Sequence, residues 1–261
     1  MSQTYHPEKY WDQVAKHISS RNDSKLIAGD DEPYYRYKRK KFLELLNSLD
    51  FANKKILEFG SGPGGNLAYL YALGCNDLTG VDISNQMIKL SGQLLKGKNI
   101  QLQKINNTKL PFDDGSFDLV FTSTVLQHNT NEQELKKIIV EICRVSKNEV
   151  YLFERIEKKI KGHESNLGRP VKFYAQLMRE NDFELIQTQS LKIQASYYIC
   201  GFIRKAFNSN SRKEGEHLSP ISVFIEKIIL PFTIILDKII PSKRDVTLLS
   251  FKKIITSIDA S

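Results

Sequence analysis

Apolar residues along this chain fall into two rhythms. Short apolar runs at 55–59, 77–82, 117–122 and 149–153 predict buried strands, and the alternating stretch 99–104 predicts a further one. Between them, apolar positions recur every three or four residues and predict helices over 64–73, 85–96, 131–144 and 171–181. Leu135, Ile138, Ile139 and Ile142 show that spacing plainly. Gly74 is placed to close the first of these helices, and Pro170 opens the last. The run 117–122 is apolar almost throughout, as expected of a central parallel strand covered on both faces. The polar, basic stretch 156–168 reads as a loop, and 183–189 and 246–252 read as two final strands. Strands alternating with helices predict an α/β domain with a mostly parallel sheet.

Two flanking regions complete the plan. Residues 1–50 predict a helical cap. A first amphipathic helix ends near Ile18, and its Tyr5, Tyr10 and Trp11 suit either a lid or packing on the sheet edge. A second begins after the acidic cluster Asp30, Asp31 and Glu32 at Pro33, with Phe42, Leu45, Leu46 and Leu49 on one face. The core is assigned to 51–193, an insertion to 194–244, and the final strand and tail to 245–261. Within the insertion, 221–240 is strongly apolar but carries Glu226, Lys227, Asp237 and Lys238. Each charge near a helix centre would cost about 2.5–3.5 kcal/mol in a bilayer, so a membrane span is not expected. The two charged pairs are eleven residues apart, about three helical turns, and share a face. Two amphipathic pieces broken near Pro231 are the expectation. They form an edge appendage or dimer contact, a roof over a pocket, or an interfacial membrane helix.

Candidate chemistry centres on the turn after the first strand. Gly60, Gly62 and Gly65 satisfy the dinucleotide pattern G-x-G-x-x-G, a weak signal on its own. Glu58 stands two residues before the first glycine, where its carboxylate would repel a pyrophosphate and attract a cationic ligand. Asp82 ends the second strand, placed to accept from ribose hydroxyls. S-adenosylmethionine (SAM), a cationic nucleoside without phosphate, meets both conditions. A nicotinamide-dependent oxidoreductase is the competing reading.

The motifs Glu58–Gly64, Gly80–Ser84 with Met87, Leu110–Asp118 and Leu126–His128, in this order and spacing, resemble those of the class I SAM-dependent methyltransferases over roughly residues 42–193. The resemblance implies a Rossmann-like seven-stranded sheet with its last strand antiparallel. It also implies cofactor contacts from Glu58, Gly60, Ser61, Gly62, Gly64, Asp82, Ile83, Met87, Asn106, Asn107, Thr122 and a residue of the helix before the core, for which Arg36 is the candidate by charge. The family usually carries an acid where Asn106 stands, and an asparagine carbonyl can still accept. Candidate bases are His128, after the fourth strand, and His163, in the loop after the fifth, with Glu154 and Tyr174 behind them. No amine-methylating Asp/Asn-Pro-Pro-Tyr motif follows the fourth strand, where Thr122-Ser-Thr-Val125 stands instead.

The expected acceptor is a small molecule, with an oxygen of a sugar, glycan precursor or natural product placed first and a lipid-linked acceptor second. A SAM-binding subunit without activity is a further alternative. The formal net charge of +8 would attract an anionic partner or surface. The chain shows neither a Cys/His zinc pattern nor an aromatic–glycine RNA motif, so nucleic acid is not the expected partner. Three cysteines without metal spacing suggest a reducing cytoplasmic setting, extended to the inner membrane face if the insertion is interfacial. A homodimer would use the same insertion, and no metal is expected.

Overall fold

The computed structural model describes residues 5–21, 27–28, 32–106, 108–242 and 245–255. Helices α1 (Pro7–Ser19) and α2 (Pro33–Asn47) precede the core. The core begins with β1 (Ile56–Phe59), α3 (Gly65–Ala72), β2 (Leu78–Asp82), α4 (Asn85–Leu94), β3 (Ile100–Lys104) and β4 (Phe117–Ser123). A 3₁₀ turn at Leu126–His128 leads to α5 (Glu132–Val145) and β5 (Ser146–Ile156). Then come a short hairpin of β6 (Lys161–His163) and β7 (Asn166–Gly168), α6 (Val171–Arg179) and β8 (Phe183–Ser190). The helices α7 (Gln194–Phe207) and α8 (Pro220–Ile239) precede the last strand, β9 (Asp245–Lys253).

The sheet order is β3-β2-β1-β4-β5-β9-β8. β9 runs antiparallel to both its neighbours, while β3, β2, β1, β4 and β5 pair in parallel. The expected Rossmann-like methyltransferase sheet with an antiparallel last strand is therefore present. Alternation along the strands builds two cores. Leu57, Phe59 and Val120 face α5 and α6, whereas Ile56, Leu119 and Phe121 pack with Leu45 and Leu46 of α2 and Leu67 and Leu70 of α3. Helix starts follow local chemistry. The Ser84 side chain accepts from Met87 N at the head of α4, and the Asn131 side chain accepts from Gln133 N and Glu134 N at the head of α5.

Two expectations need correcting. The stretch 156–168 is not wholly loop, because β6 and β7 pair within it across Gly162, whose φ of +157° a side chain would rarely adopt. α8 is also one unbroken helix of 20 residues with Pro231 inside it. Pro231 and Lys227 are both exposed, so water can satisfy the Lys227 carbonyl that the proline ring leaves without its partner.

α8 is turned inside out. Its buried residues are Ser222, Glu226, Thr233 and Asp237. Glu226 accepts from the backbone N–H of Tyr34 at the start of α2 and pairs with Arg204 of α7 at 3.2 Å. Asp237 accepts from Ala195 N at 2.7 Å and Ser196 N at 3.2 Å in the first turn of α7, and from the Tyr37 hydroxyl of α2. Both carboxylates thus cap other helices, where orphan N–H groups and the positive dipole end favour an anion. The expected shared face of the two charged pairs splits accordingly: the acids point in, and Lys227 and Lys238 are exposed.

Candidate active site

The cleft lies beyond the carboxyl ends of β1, β2 and β4, where open α/β sheets bind ligands. It consists of two adjoining cavities of about 350 and 390 Å³ that share Trp11, Gly60, Gly62, Ser123, Thr124 and His128 in their walls. Gly60 makes the approach possible. Its φ is +74°, and a Cβ there would lie 2.4 Å from a Val125 methyl.

The 390 Å³ cavity is lined by Asp82, Ile83, Met87 and Asn106, with Phe59 and Ile105. Asp82 is buried. One of its oxygens accepts from Gly62 N and the other from Ser84 N, both at 2.8 Å, tying the glycine turn to the end of β2. Burial pushes the Asp82 carboxyl up to about 6. α1 closes this side. Its Asp12 accepts from the Ser84 hydroxyl at 2.6 Å, its Val14, Ala15 and Ile18 pack on Met87 and Leu90, and its Trp11 ring meets the His128 ring edge-on at 4.9 Å.

The 350 Å³ cavity holds the charged groups. Glu58 is fully buried, with one oxygen accepting from Asn66 Nδ2 at 2.6 Å and the other without a hydrogen-bond partner among the described residues. Burial drives its carboxyl up to about 8, against the pull of Asn66 and Arg39. Arg39 donates to the Asn66 carbonyl, and burial lowers its guanidinium to about 10, so it stays charged near neutral pH. Beyond these lie Tyr35, Gln127, Arg155 and Tyr197 and the ion pair Lys38–Asp245 at 2.9 Å. Arg155 donates to Asn166 and Glu157.

His128 lines both cavities. Its Nδ1 lies 2.9 Å from the Ser165 carbonyl and therefore carries the proton, leaving Nε2 as an acceptor 3.2 Å from the Gln127 amide nitrogen. Burial holds this imidazole below its ordinary range, so it is neutral at pH 7. Glu154 fixes its position. That buried carboxylate accepts from the Thr122 hydroxyl and from the N–H groups of Val125, Leu126 and Gln127, which carry the 3₁₀ turn.

Glu58, Gly60, Ser61, Gly62, Asp82, Ile83, Met87, Asn106 and His128 all meet at this cleft. Gly64 stands behind the turn with φ +87°, against Leu95 and Ser91, and shapes the entry to α3. Asn107 lies outside the described residues. Three of the expected residues stand away from the cavity walls. Thr122 lines neither cavity, because its hydroxyl is spent on Glu154. Arg36 is exposed on α2, and Arg39, one turn on, faces the cleft instead. His163 is exposed on β6, where its ring meets the Ser165 hydroxyl, and it lines neither cavity. Glu154 and Tyr174 are buried outside the cavity walls.

Arg39, Asn66 and the Lys38–Asp245 pair are absent from the sequence-based site, whereas Trp11 stands where the lid reading put it. A signal for the α2 residues exists: positions 35, 38, 39 and 42 all line the cavity at the i, i+3, i+4, i+7 spacing of one helix face. Asp245 has none, since it is the residue at φ +71° that opens a strand more than 200 positions from its partner.

Sheet order and cleft together define the class I methyltransferase fold. Residues 57–153 match the model of a family described as a methyltransferase domain, and the resemblance of the chain to the class I SAM-dependent methyltransferases holds in sequence and fold alike. Phosphoethanolamine N-methyltransferase 1 of wheat (Triticum aestivum) is 24% identical over 197 residues, 68% of this chain but only 38% of the wheat protein. Two solved structures share the fold at low identity. The [4+2]-cyclase SpnF has a TM-score of 0.65 at 13% identity, over 95% of this chain and 96% of its own. Phosphoethanolamine N-methyltransferase 2 of Haemonchus contortus, solved with phosphomonomethylethanolamine and S-adenosylhomocysteine, has a TM-score of 0.60 at 14% identity, over 95% of this chain and 59% of its own.

Proposed function

We propose that this chain binds SAM across the two cavities and transfers its methyl group to a small polar acceptor. The observation that carries the reading is the unpartnered Glu58 oxygen, buried beside the glycine turn. Ionising a buried carboxyl is costly, which keeps it mostly protonated in the free protein; a bound ammonium would stabilise the ionised form, and a pyrophosphate would not. The same feature disfavours a nicotinamide dinucleotide. Asp82, with Ile83 and Met87, would hold the ribose and adenine half. Glu58, Arg39 and Asn66 would hold the amino-acid half. SAM supplies an electrophilic methyl group whose sulfonium leaving group needs no activation. The chain's part is therefore to align the acceptor, exclude water and take up a proton.

His128 Nε2 would take that proton, its one lone pair exchanging the Gln127 amide for the acceptor hydroxyl. It is neutral, it is held in one tautomer by the Ser165 carbonyl, and it lies where the two cavities join. A base suits a hydroxyl acceptor such as that of a sugar, glycan precursor or natural product. The phosphoethanolamine relatives favour a second reading, an amine acceptor bearing an anionic group, which Lys38 and Arg155 would meet.

Incubation with methyl-labelled SAM and a panel of polyhydroxylated acceptors and phosphorylated amines tests the proposal. Transfer to a hydroxyl supports the first reading, and transfer to an amine replaces it with the second. A protein that binds SAM yet methylates nothing in an extract of small metabolites would be a binding subunit, as the cyclase neighbour warns that this fold serves other chemistry.

A further inference from the structure

We propose that the outward face of the α7–α8 hairpin docks on the surface of an anionic lipid bilayer. The inference does not rest on the methyl-transfer reading. The face is strongly apolar. Ile221, Phe224, Ile228, Phe232, Ile235 and Ile239 of α8 follow one another at three- and four-residue steps and form a single stripe. Phe224, Phe232 and Ile239 are 64%, 65% and 75% exposed, and Phe202 of α7 is 72% exposed. Large apolar side chains exposed in one contiguous stripe mark an interaction site, which scattered ones do not.

Charge identifies that partner. α7 and α8 together carry six charged residues, namely Arg204, Lys205, Glu226, Lys227, Asp237 and Lys238. Glu226 and Asp237 are buried as helix caps, and Arg204 pairs with Glu226. The exposed charges are thus all lysines: Lys205, Lys227 and Lys238. Lys227 and Lys238 are eleven residues apart, so they edge the apolar stripe on the same side, three turns apart. An apolar stripe edged by lysines, without exposed carboxylates, complements anionic headgroups over acyl chains. The exposed charges of the two helices carry one sign, so a second copy of this face would bring no opposite charge to pair with them.

The mode is interfacial, since no helix among the described residues is long and apolar enough to cross a membrane. Tyr197 of α7 lines the cleft, whereas the adjacent Tyr198 is exposed. One helix therefore separates the docked surface from the cavity.

Co-sedimentation of the full-length chain with vesicles tests the proposal. Binding is expected to phosphatidylcholine vesicles containing phosphatidylglycerol, and to weaken steeply as salt is raised. The double variant Phe224→Ser, Phe232→Ser should raise the vesicle Kd by more than about tenfold. The double variant Lys227→Gln, Lys238→Gln should raise it about tenfold for anionic vesicles and leave any residual binding to pure phosphatidylcholine unchanged. Unchanged circular dichroism and melting would show that these surface variants fold. Failure of the native chain to bind anionic vesicles at low salt would overturn the proposal, as would equal binding by the phenylalanine variant. So would a concentration-dependent dimer that the phenylalanine variant abolishes.

Discussion

Glu58 enters the cleft with one oxygen held by Asn66 and the other without a hydrogen-bond partner among the described residues, and its carboxyl is raised to about 8 by burial. At pH 7 it is therefore mostly protonated in the free protein. A bound ammonium would favour the ionised form, so cofactor binding at pH 7 should release close to one proton. Calorimetry in buffers of different ionisation enthalpy should read that release, and Glu58→Gln should abolish it while weakening SAM binding about ten- to hundredfold. Stability follows the same group. Its folded pKa lies above the ordinary value of 4.5, so the folded state holds the extra proton, and the stability of the free protein should fall as pH rises from about 4.5 to about 8. Asp82, raised to about 6, adds in the same direction, and thermal melts of Glu58→Gln should show a shallower slope. If His128 is the base, His128→Ala should lower kcat by about 10²–10⁴ and leave the affinity for S-adenosylhomocysteine within a few fold, because its hydrogen bonds among the described residues, to Ser165 and Gln127, involve none of the groups assigned to the cofactor. Glu58, Asp82 and His128 are legible in the sequence because each sits on a contiguous strand-and-turn motif. Arg39 is not, because charge alone cannot choose among the basic residues of α2; the helix phase set by Tyr35 and Phe42 can.

At the scale of elements, the glycine turn and α8 show opposite degrees of legibility. The turn is dictated locally. Gly60→Ala would force a Cβ into Val125 at φ +74°, and should destabilise the fold by on the order of 2–3 kcal/mol in chemical denaturation while impairing SAM binding. The course of α8 is set by partners remote in sequence. Its apolar residues read as a core face, yet its acids go inward because the starts of α2 and α7 need anions. Asp237→Ala would strand Ala195 N, Ser196 N and the Tyr37 hydroxyl, and should cost about 3 kcal/mol or more by the same measurement. The β6–β7 hairpin escapes sequence reading for a related reason. Its strands are three residues each, too short for a period, and are sited by the Ile156–Arg169 bridge.

For the molecule as a whole, the alternation of strand and helix predicts the architecture, and the sheet order follows it with β9 slotted antiparallel between β5 and β8. Additions at either end complete the cleft. α1 brings Trp11 over it, α2 brings Tyr35, Lys38 and Arg39, and the insertion brings Tyr197 and returns the chain at Asp245. The outer wall of the cleft is thus built from residues outside the common strand–turn motifs, the stretches on which the family resemblance rests. Calorimetric titration with S-adenosylhomocysteine is the most direct test of the cleft's assignment. Saturable binding that is weakened by Glu58→Gln and lost in Asp82→Ala, with no binding of NADH, is the predicted result. NADH binding, or no heat at millimolar S-adenosylhomocysteine, would contradict it.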